Sequence, residues 1–259
     1  MIRNGKIKVE KVDIPIEELP DKFEGLRIVH ISDIHIKRFG KREKKIVKII
    51  NELNPSVLFI TGDIVSRDVL KEVEKFWWGI KTKYGIWAVQ GNWEHKYSMT
   101  GERVKEVYKK YGVKLLINES DKLYIKDNYI GIIGIDDPFT FHDNMSKALG
   151  GLPEDSVKIL LSHSPSIIDE ASENGISLVL TGHTHGGQIA IPGIGAIVKR
   201  RDCNGYVSGK YTRNQTQIYV NRGIGTSILP IRLFCPPEIT LIKLKRDSSQ
   251  SDPCWRHER

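Results

Sequence analysis

Short apolar runs alternate with amphipathic segments along the first part of the chain. The run at 27–31 predicts a strand, and residues 41–53 carry apolar side chains at helical spacing on one face, which predicts a helix. A buried-type strand is predicted at 57–60, a helix at about 68–81 and a strand at 86–89. This alternation of strands and helices predicts an α/β fold, in which ligands bind at the carboxyl ends of the strands.

The pattern changes in the second half of the chain. Apolar runs at 157–161 and 178–180 again predict strands that end in polar loops, while residues 114–134 are β-rich with a turn signal at 119–121. From Gln188 onward the pattern predicts short strands and Gly-rich turns, closing with a strand over residues 238–244.

The pattern also sets the domain organisation. We predict one domain over residues 1–245, which opens with a short polar segment, and a polar, disordered tail over residues 246–259. No repeat or low-complexity tract interrupts it.

Composition adds a preference for anionic partners. The 259-residue chain is 39% hydrophobic and 28% charged, as in ordinary globular proteins, but its net charge is +8. Phosphate-bearing metabolites, nucleic acid and acidic lipid surfaces would all suit that charge, and lysines that merely solvate helix faces are the alternative. The three cysteines lack CxxC spacing, which argues against a disulfide scaffold and a thiolate zinc site.

The start of the chain has no apolar core of the length found in signal peptides, and no run approaches a membrane-spanning length. We therefore expect a cytoplasmic protein, with peripheral contact at the inner membrane face left open. The oligomeric state is not predicted.

Polar residues follow the predicted strands. Asp33 and His35 alternate at i and i+2, as do His183 and His185, so each pair can face one way. Asp63 can supply a carboxylate that bridges two cations. The full set that we predict to bind metal is Asp33, His35, Asp63, Asn92, His163, His183 and His185. Hard oxygens mixed with imidazoles suit Mn²⁺, with Fe or Zn as alternatives, and two such ions can activate water and clamp a phosphoryl group.

The order of these residues is Asp-x-His, Gly-Asp, Gly-Asn, His and Gly-His-x-His, from Asp33 to His185. This order resembles the calcineurin-like metallophosphoesterases, and within them the bacterial YaeI/YkuE-type phosphodiesterases, which the stretch 182–188 also resembles. The resemblance implies a four-layer α/β/β/α sandwich of two mixed sheets flanked by helices, the metallo-dependent phosphatase fold.

The resemblance also implies two ligand sets. One metal would be held by Asp33, His35, Asp63 and His185, and the other by Asp63, Asn92, His163 and His183. Among these residues, Asp63, Asn92 and His183 are expected to take part in catalysis.

The sequence departs from the family pattern at Trp93, in the polar loop predicted at 91–95. Relatives commonly carry a histidine there, which is thought to protonate the leaving group. Indole cannot act as a general acid near neutral pH, so we expect a preference for leaving groups that need little protonation, unless His95 takes over. We expect Trp93, Gln188 and Arg232 to contact substrate.

The predicted function is hydrolysis of a phosphodiester or pyrophosphate bond by a metal-bridging hydroxide. The substrate is expected to be a small phosphate ester or a lipid-linked one, such as the nucleotide-linked lipid UDP-2,3-diacylglucosamine. One alternative is a weakly active phosphate-binding or membrane-surface module that retains the metal site. The other is a nuclease, which has only the net charge in its favour because no basic helix or aromatic platform stands out.

Overall fold

The computed structural model describes residues 6–191, 195–197, 203–227 and 230–247. The strands are β1 (Lys8–Ile16), β2 (Arg27–Ile31), β3 (Val57–Thr61), β4 (Gly85–Val89), β5 (Val113–Leu115), β6 (Glu119–Ile125), β7 (Asn128–Gly134), β8 (Lys158–Leu161), β9 (Leu178–Thr181), β10 (Ala190–Ile191), β11 (Gly195–Ala196), β12 (Gly209–Arg213), β13 (Thr216–Val220) and β14 (Glu238–Arg246). The helices are α1 (Lys41–Glu52), α2 (Leu70–Trp78), α3 (Asn92–Lys96), α4 (Gly101–Lys110), α5 (Met145–Leu149) and α6 (Ile168–Glu173), with 3-10 turns at Asp21–Phe23, Pro138–Thr140, Pro165–Ile167 and His185–Gly187.

Two mixed sheets of six strands each form the centre of the fold. The first has the order β1-β14-β2-β3-β4-β5 and is parallel except where β14 meets β2. The second has the order β12-β13-β9-β8-β7-β6, parallel in its middle and antiparallel at both outer pairs. Strands β10 and β11 pair with each other in antiparallel orientation.

Side chains that alternate along each strand build three apolar layers. In β3, Leu58 and Ile60 pack toward α1, α2 and α4, whereas Val57 and Phe59 pack between the two sheets. On the outer face of the second sheet, Leu160 and its neighbours pack against α5 and α6. Helices therefore cover both outer faces, and the predicted four-layer α/β/β/α sandwich is confirmed.

Helix α1 illustrates how the local sequence forms these elements. Ile46 and Ile50 are fully buried one turn apart, which gives the helix its apolar face. At its start, the Glu43 carboxylate accepts a hydrogen bond from the Gly40 amide at 2.9 Å, which satisfies a backbone donor at the helix end.

Three expectations from the sequence were wrong. The opening segment contains the nine-residue strand β1, which pairs in parallel with β14 along its whole length. Only Ile14 and Ile16 of this strand are buried, so its first six residues carry no apolar pattern that marks a strand. The turn signal at 119–121 lies inside β6, where Lys114 and the Trp87 indole hold Asp121. Of the loop predicted at 91–95, residues 92–95 are helical and form the first part of α3.

The last strand ends at Arg246, one residue beyond the predicted domain end, and the predicted tail lies outside the described residues from 248 onward. Among the helices of the described ranges, none combines the length and apolar character needed to cross a membrane.

Candidate metal centre

Five strands deliver polar residues to one edge of the sandwich. Parallel strands β2, β3 and β4 of the first sheet and β8 and β9 of the second end at the same side, so the residues that follow them meet there. All seven predicted ligands lie in these segments, and each has an atom within 3.7 Å of another ligand.

The backbone at this edge is held in an unusual conformation. Five of the ligands have positive φ angles between 50° and 66°, and these are Asp33, His35, Asp63, His183 and His185. Such angles are uncommon for residues with a side chain, and they persist only where the surrounding structure enforces them. Five of the seven predicted metal ligands therefore have a strained backbone.

The first group of ligands contains Asp33, His35 and His185, all buried. His185 Nε2 lies 3.2 Å from Asp33 Oδ1 and 3.3 Å from His35 Nε2. The rings of His35 and His185 are stacked with their centroids 5.2 Å apart. Their nitrogens and the carboxylate oxygen thus point into a common space.

The second group is centred on His163. Its Nε2 lies 3.1 Å from Asn92 Oδ1, 3.0 Å from His183 Nδ1 and 3.4 Å from Asp63 Oδ2. Asp63 Oδ2 is also 3.7 Å from His35 Nε2 of the first group. The Asp63 carboxylate therefore stands between the two groups.

The chemistry of these atoms fits bound cations. His163 Nδ1 lies 2.8 Å from the Thr61 carbonyl, which can only accept, so Nδ1 carries a proton and Nε2 is the nitrogen left to bind a cation. This Nε2 faces the oxygens of Asn92 and Asp63. Asp33 Oδ1 is buried and accepts no hydrogen bond. Converging acceptors without donors are stabilised by a positive ion.

Burial and the neighbouring charges set the protonation of the ligands. Burial by itself raises the pKa of the Asp63 carboxyl, but His163 and His35 outweigh it and lower the pKa to about 2. Burial also lowers the pKa of the His35 and His185 imidazoles. Burial would also lower the pKa of the His163 imidazole, but the Asp63 carboxylate outweighs it and raises that pKa. Metals bind charged carboxylates and neutral imidazoles, so a cation at His163 would take the place of the proton on Nε2.

Two glycines let the backbone pass close to the ligands. A Cβ atom on Gly91 would lie 2.5 Å from Asp63 Oδ1, and one on Gly182 would lie 2.6 Å from Asp33 Oδ2. Any larger residue would displace the carboxylates, so the Gly-Asn and Gly-His pairs in the sequence have a steric cause.

Glu94 holds the backbone of the Asp63 loop in place, a role that was not predicted from the sequence. Its buried carboxylate accepts hydrogen bonds from the backbone amides of Asp63, Ile64, Val65 and Gly91, at 2.7 to 3.1 Å. It thereby ties the Asp63 loop to the start of α3. The signal was available, since a glutamate three residues after Gly91 has capping-box spacing.

We expect Glu94→Gln to destabilise the protein by about 3 kcal/mol and to weaken metal binding by roughly 10–100-fold, because the new amide group faces backbone donors instead of accepting from them. Urea unfolding and a Mn²⁺ titration measure the two effects. Glu106→Gln, on the exposed side of α4, is the matched control. Equal stabilities of the two variants would contradict the assigned role of Glu94.

The side chains of Trp93 and His95 on α3 contact different partners. The Trp93 amide donates to Asp63 Oδ1 at 2.8 Å, and its ring packs edge-to-face on the His35 ring, with centroids 4.7 Å apart. His95 Nε2 lies 2.7 Å from Asp136 Oδ1, and its ring stacks on His142. Trp93 thus borders the centre, and the expected contact with substrate stays a prediction.

The other two predicted substrate contacts are engaged by the protein. Gln188 Oε1 accepts from the Ser227 amide at 2.8 Å. Arg232 is 4% exposed, and its guanidinium donates to the carbonyls of Gly225, Arg222 and His185 and lies 3.2 Å from His185 Nδ1. The structure therefore places Arg232 behind His185, where it braces the loop that carries this ligand.

Comparison with known proteins agrees with this geometry. The profile described as Calcineurin-like phosphoesterase matches residues 26–187, which span the predicted ligands. The chain belongs to the calcineurin-like phosphoesterase family. The resemblance inferred from the motif order is confirmed.

Similar proteins occur in bacteria and animals. The metallophosphoesterase YkuE of Bacillus subtilis (strain 168) is 31% identical over 242 residues, covering 88% of this chain and 82% of YkuE. A Danio rerio protein, named transmembrane protein with metallophosphoesterase domain, is 34% identical over 256 residues. That match covers 92% of this chain, but the chain spans only 57% of the Danio rerio protein.

Solved structures show weaker similarity. A structure described as a novel archaeal phosphodiesterase has a TM-score of 0.42 at 17% identity, covering 76% of this chain and 84% of its own. The NAD nucleotidase of Haemophilus influenzae has a TM-score of 0.48 at 15% identity, covering 76% of this chain and 50% of its own.

Proposed function

We propose that the chain hydrolyses phosphodiester or pyrophosphate bonds with two divalent cations, Mn²⁺ foremost. The observation that carries this proposal is the position of Asp63 Oδ2, 3.7 Å from His35 Nε2 and 3.4 Å from His163 Nε2. One carboxylate shared by two ligand groups is the arrangement that a pair of cations needs.

The protein residues supply binding and orientation. Asp33, His35 and His185 would hold one cation, and Asn92, His163 and His183 the other, with Asp63 common to both. The pair of cations would supply charge that activates water and stabilises the phosphoryl transition state. Thr61, Arg232 and Glu94 hold the ligands in place through the contacts described above.

Proton transfer to the leaving group is proposed for His95. Asn92 and His95 are three residues apart on α3, so both side chains lie on the same face of the helix. The hydrogen bond with Asp136 raises the pKa of His95, against the opposing effect of burial. The raised pKa favours the protonated imidazole, which is the form that can donate.

The proposed substrate is amphiphilic, as in a nucleotide-linked lipid. Phe139 is 37% exposed and its ring lies 4.9 Å from the His183 ring, while Phe141, on the same turn, is 92% exposed. These rings offer an apolar surface beside a polar centre, which supports a substrate with both an anionic and an apolar part.

Turnover of bis-p-nitrophenyl phosphate tests the reaction. We expect hydrolysis with added Mn²⁺, loss of hydrolysis after dialysis against a chelator, and recovery when Mn²⁺ is restored. Metal analysis of the purified protein gives the stoichiometry, expected at two ions per chain by analogy with two-metal sites. Phosphate binding without turnover would indicate the binding-module alternative and would overturn the proposal.

The substrate class needs a separate screen. Nucleotide-linked lipids, small phosphodiesters, and single- and double-stranded DNA are compared by kcat/KM under the same Mn²⁺ conditions. We expect the nucleotide-linked lipids to be preferred. A preference for DNA would indicate the nuclease alternative and would contradict the amphiphilic substrate.

A further inference from the structure

A basic cavity adjoins the candidate metal centre. It has a volume of about 330 Å³, and its lining includes His35, Lys37, Arg38, Lys41, Arg42 and Glu43. It lies between the segment after Asp33 and the start of α1. The four cationic residues of this lining belong to none of the metal-ligand motifs.

Glu43 and Arg42 form an ion pair in this cavity. Arg42 Nε donates to Glu43 Oε1 at 2.8 Å, and the same guanidinium donates to the Ile34 carbonyl at 2.9 Å. The other Glu43 oxygen is taken by the Gly40 amide. Arg42 is therefore a structural cation, and Glu43 has no free oxygen for the remaining basic groups.

Lys37, Arg38 and Lys41 are left uncompensated. All three are exposed, and none forms an ion pair or a side-chain hydrogen bond within the described ranges. Glu72 feels the charge of Arg38, but its oxygens bond Lys75 and the Phe39 amide. Three positive charges thus converge on a cavity whose single acidic group is already engaged.

His35 joins the cavity to the metal centre. This residue lines the cavity, and its Nε2 lies 3.7 Å from Asp63 Oδ2. A single substrate could therefore place one phosphoryl group at the metal centre and a second anionic group, a few bonds away, in the cavity. A simple phosphodiester carries no such second anionic group, whereas a pyrophosphate linkage does.

We propose that this cavity binds a second phosphate of the substrate, so that the preferred substrates are pyrophosphate-linked compounds. The proposal rests on the proposed function, because it assumes that the first phosphate is bound at the metal centre. Lys37, Arg38 and Lys41 donate charge-assisted hydrogen bonds to the second phosphate and thereby determine specificity.

The test compares two adenosine compounds as competitive inhibitors of bis-p-nitrophenyl phosphate hydrolysis at fixed free Mn²⁺. AMP has one phosphate and ADP-ribose has a pyrophosphate, and both carry about two negative charges near neutral pH. The variant is Lys37→Ala with Arg38→Ala and Lys41→Ala. The control is Lys109→Ala with Lys110→Ala and Lys126→Ala, which removes the same charge at exposed positions of α4 and the β6–β7 turn.

We expect the cavity variant to raise the inhibition constant of ADP-ribose about tenfold and that of AMP much less. The control variant should leave both inhibition constants unchanged. Equal weakening of both compounds, or an unchanged ADP-ribose constant, would overturn the proposal. Failure of the proposed function appears differently, as absent hydrolysis of bis-p-nitrophenyl phosphate by the parent protein. In that case, calorimetric dissociation constants of the same two compounds give the same comparison.

Discussion

Replacing Asp63 with Asn lowers kcat/KM for bis-p-nitrophenyl phosphate in Mn²⁺ on the order of 10³-fold. The substitution keeps the side-chain shape but removes the charge that both ligand groups share, since Asp63 Oδ2 lies within 3.7 Å of His35 and 3.4 Å of His163. Bound cations contribute several kcal/mol of charge stabilisation to a phosphoryl transition state, and about 4 kcal/mol corresponds to this factor.

The measurement is paired with a control at a second aspartate. Asp127 is exposed in the turn between β6 and β7, so Asp127→Asn should leave turnover unchanged. Urea unfolding in the absence of metal shows whether the Asp63 variant is still folded. If a folded Asp63→Asn variant keeps more than a tenth of the parent turnover, the shared-carboxylate mechanism is wrong.

Loss of His95 has the second largest expected effect. Because general acid catalysis contributes about 10²–10⁴-fold, His95→Asn should lower turnover of a dialkyl ester such as glycerophosphocholine by roughly 10²-fold or more. Bis-p-nitrophenyl phosphate should be affected much less, because its aryl leaving group departs without a proton. Trp93→His, in contrast, should improve dialkyl turnover little if His95 is the proton donor, as proposed.

The pH profile separates proton donation from a structural effect. The protonated imidazole is the active form, so dialkyl turnover should fall as pH rises through the raised pKa of His95. Asp136→Asn removes the hydrogen bond and charge that raise this pKa, which should move the fall to lower pH. A profile that is unaltered in both variants would exclude His95 as the donor and would favour the preference first inferred from Trp93.

The ligand positions were predictable because strand ends are visible in the sequence. Apolar runs end directly before the segments that carry Asp33, Asp63, Asn92, His163 and His183, and parallel strands of one sheet must end at one edge. The closing strand predicted over residues 238–244 corresponds to β14, which extends to Arg246. Strand β1 was not predicted, because its pairing with β14 is a contact over more than 200 residues.

The partners of the site residues could not be read from the sequence. His95 was identified as a candidate donor, but its contact with Asp136 spans 41 residues and joins α3 to the segment after β7. Arg232 was expected to contact substrate, whereas the fold buries it beside His185, 47 residues away. In the sequence, Lys37, Arg38 and Lys41 do not differ from other solvent-exposed basic residues. Only the structure shows that they line one cavity beside His35.

The sequence by itself determined the α/β class, the order of the strands that carry ligands and the residue types at their ends. These depend on local hydrophobic periodicity and on the chemistry of single side chains. Only the tertiary structure decided which side chains meet, which charged groups are buried and which cations remain uncompensated. Those properties depend on distances and burial between segments far apart in the chain, which no local pattern records.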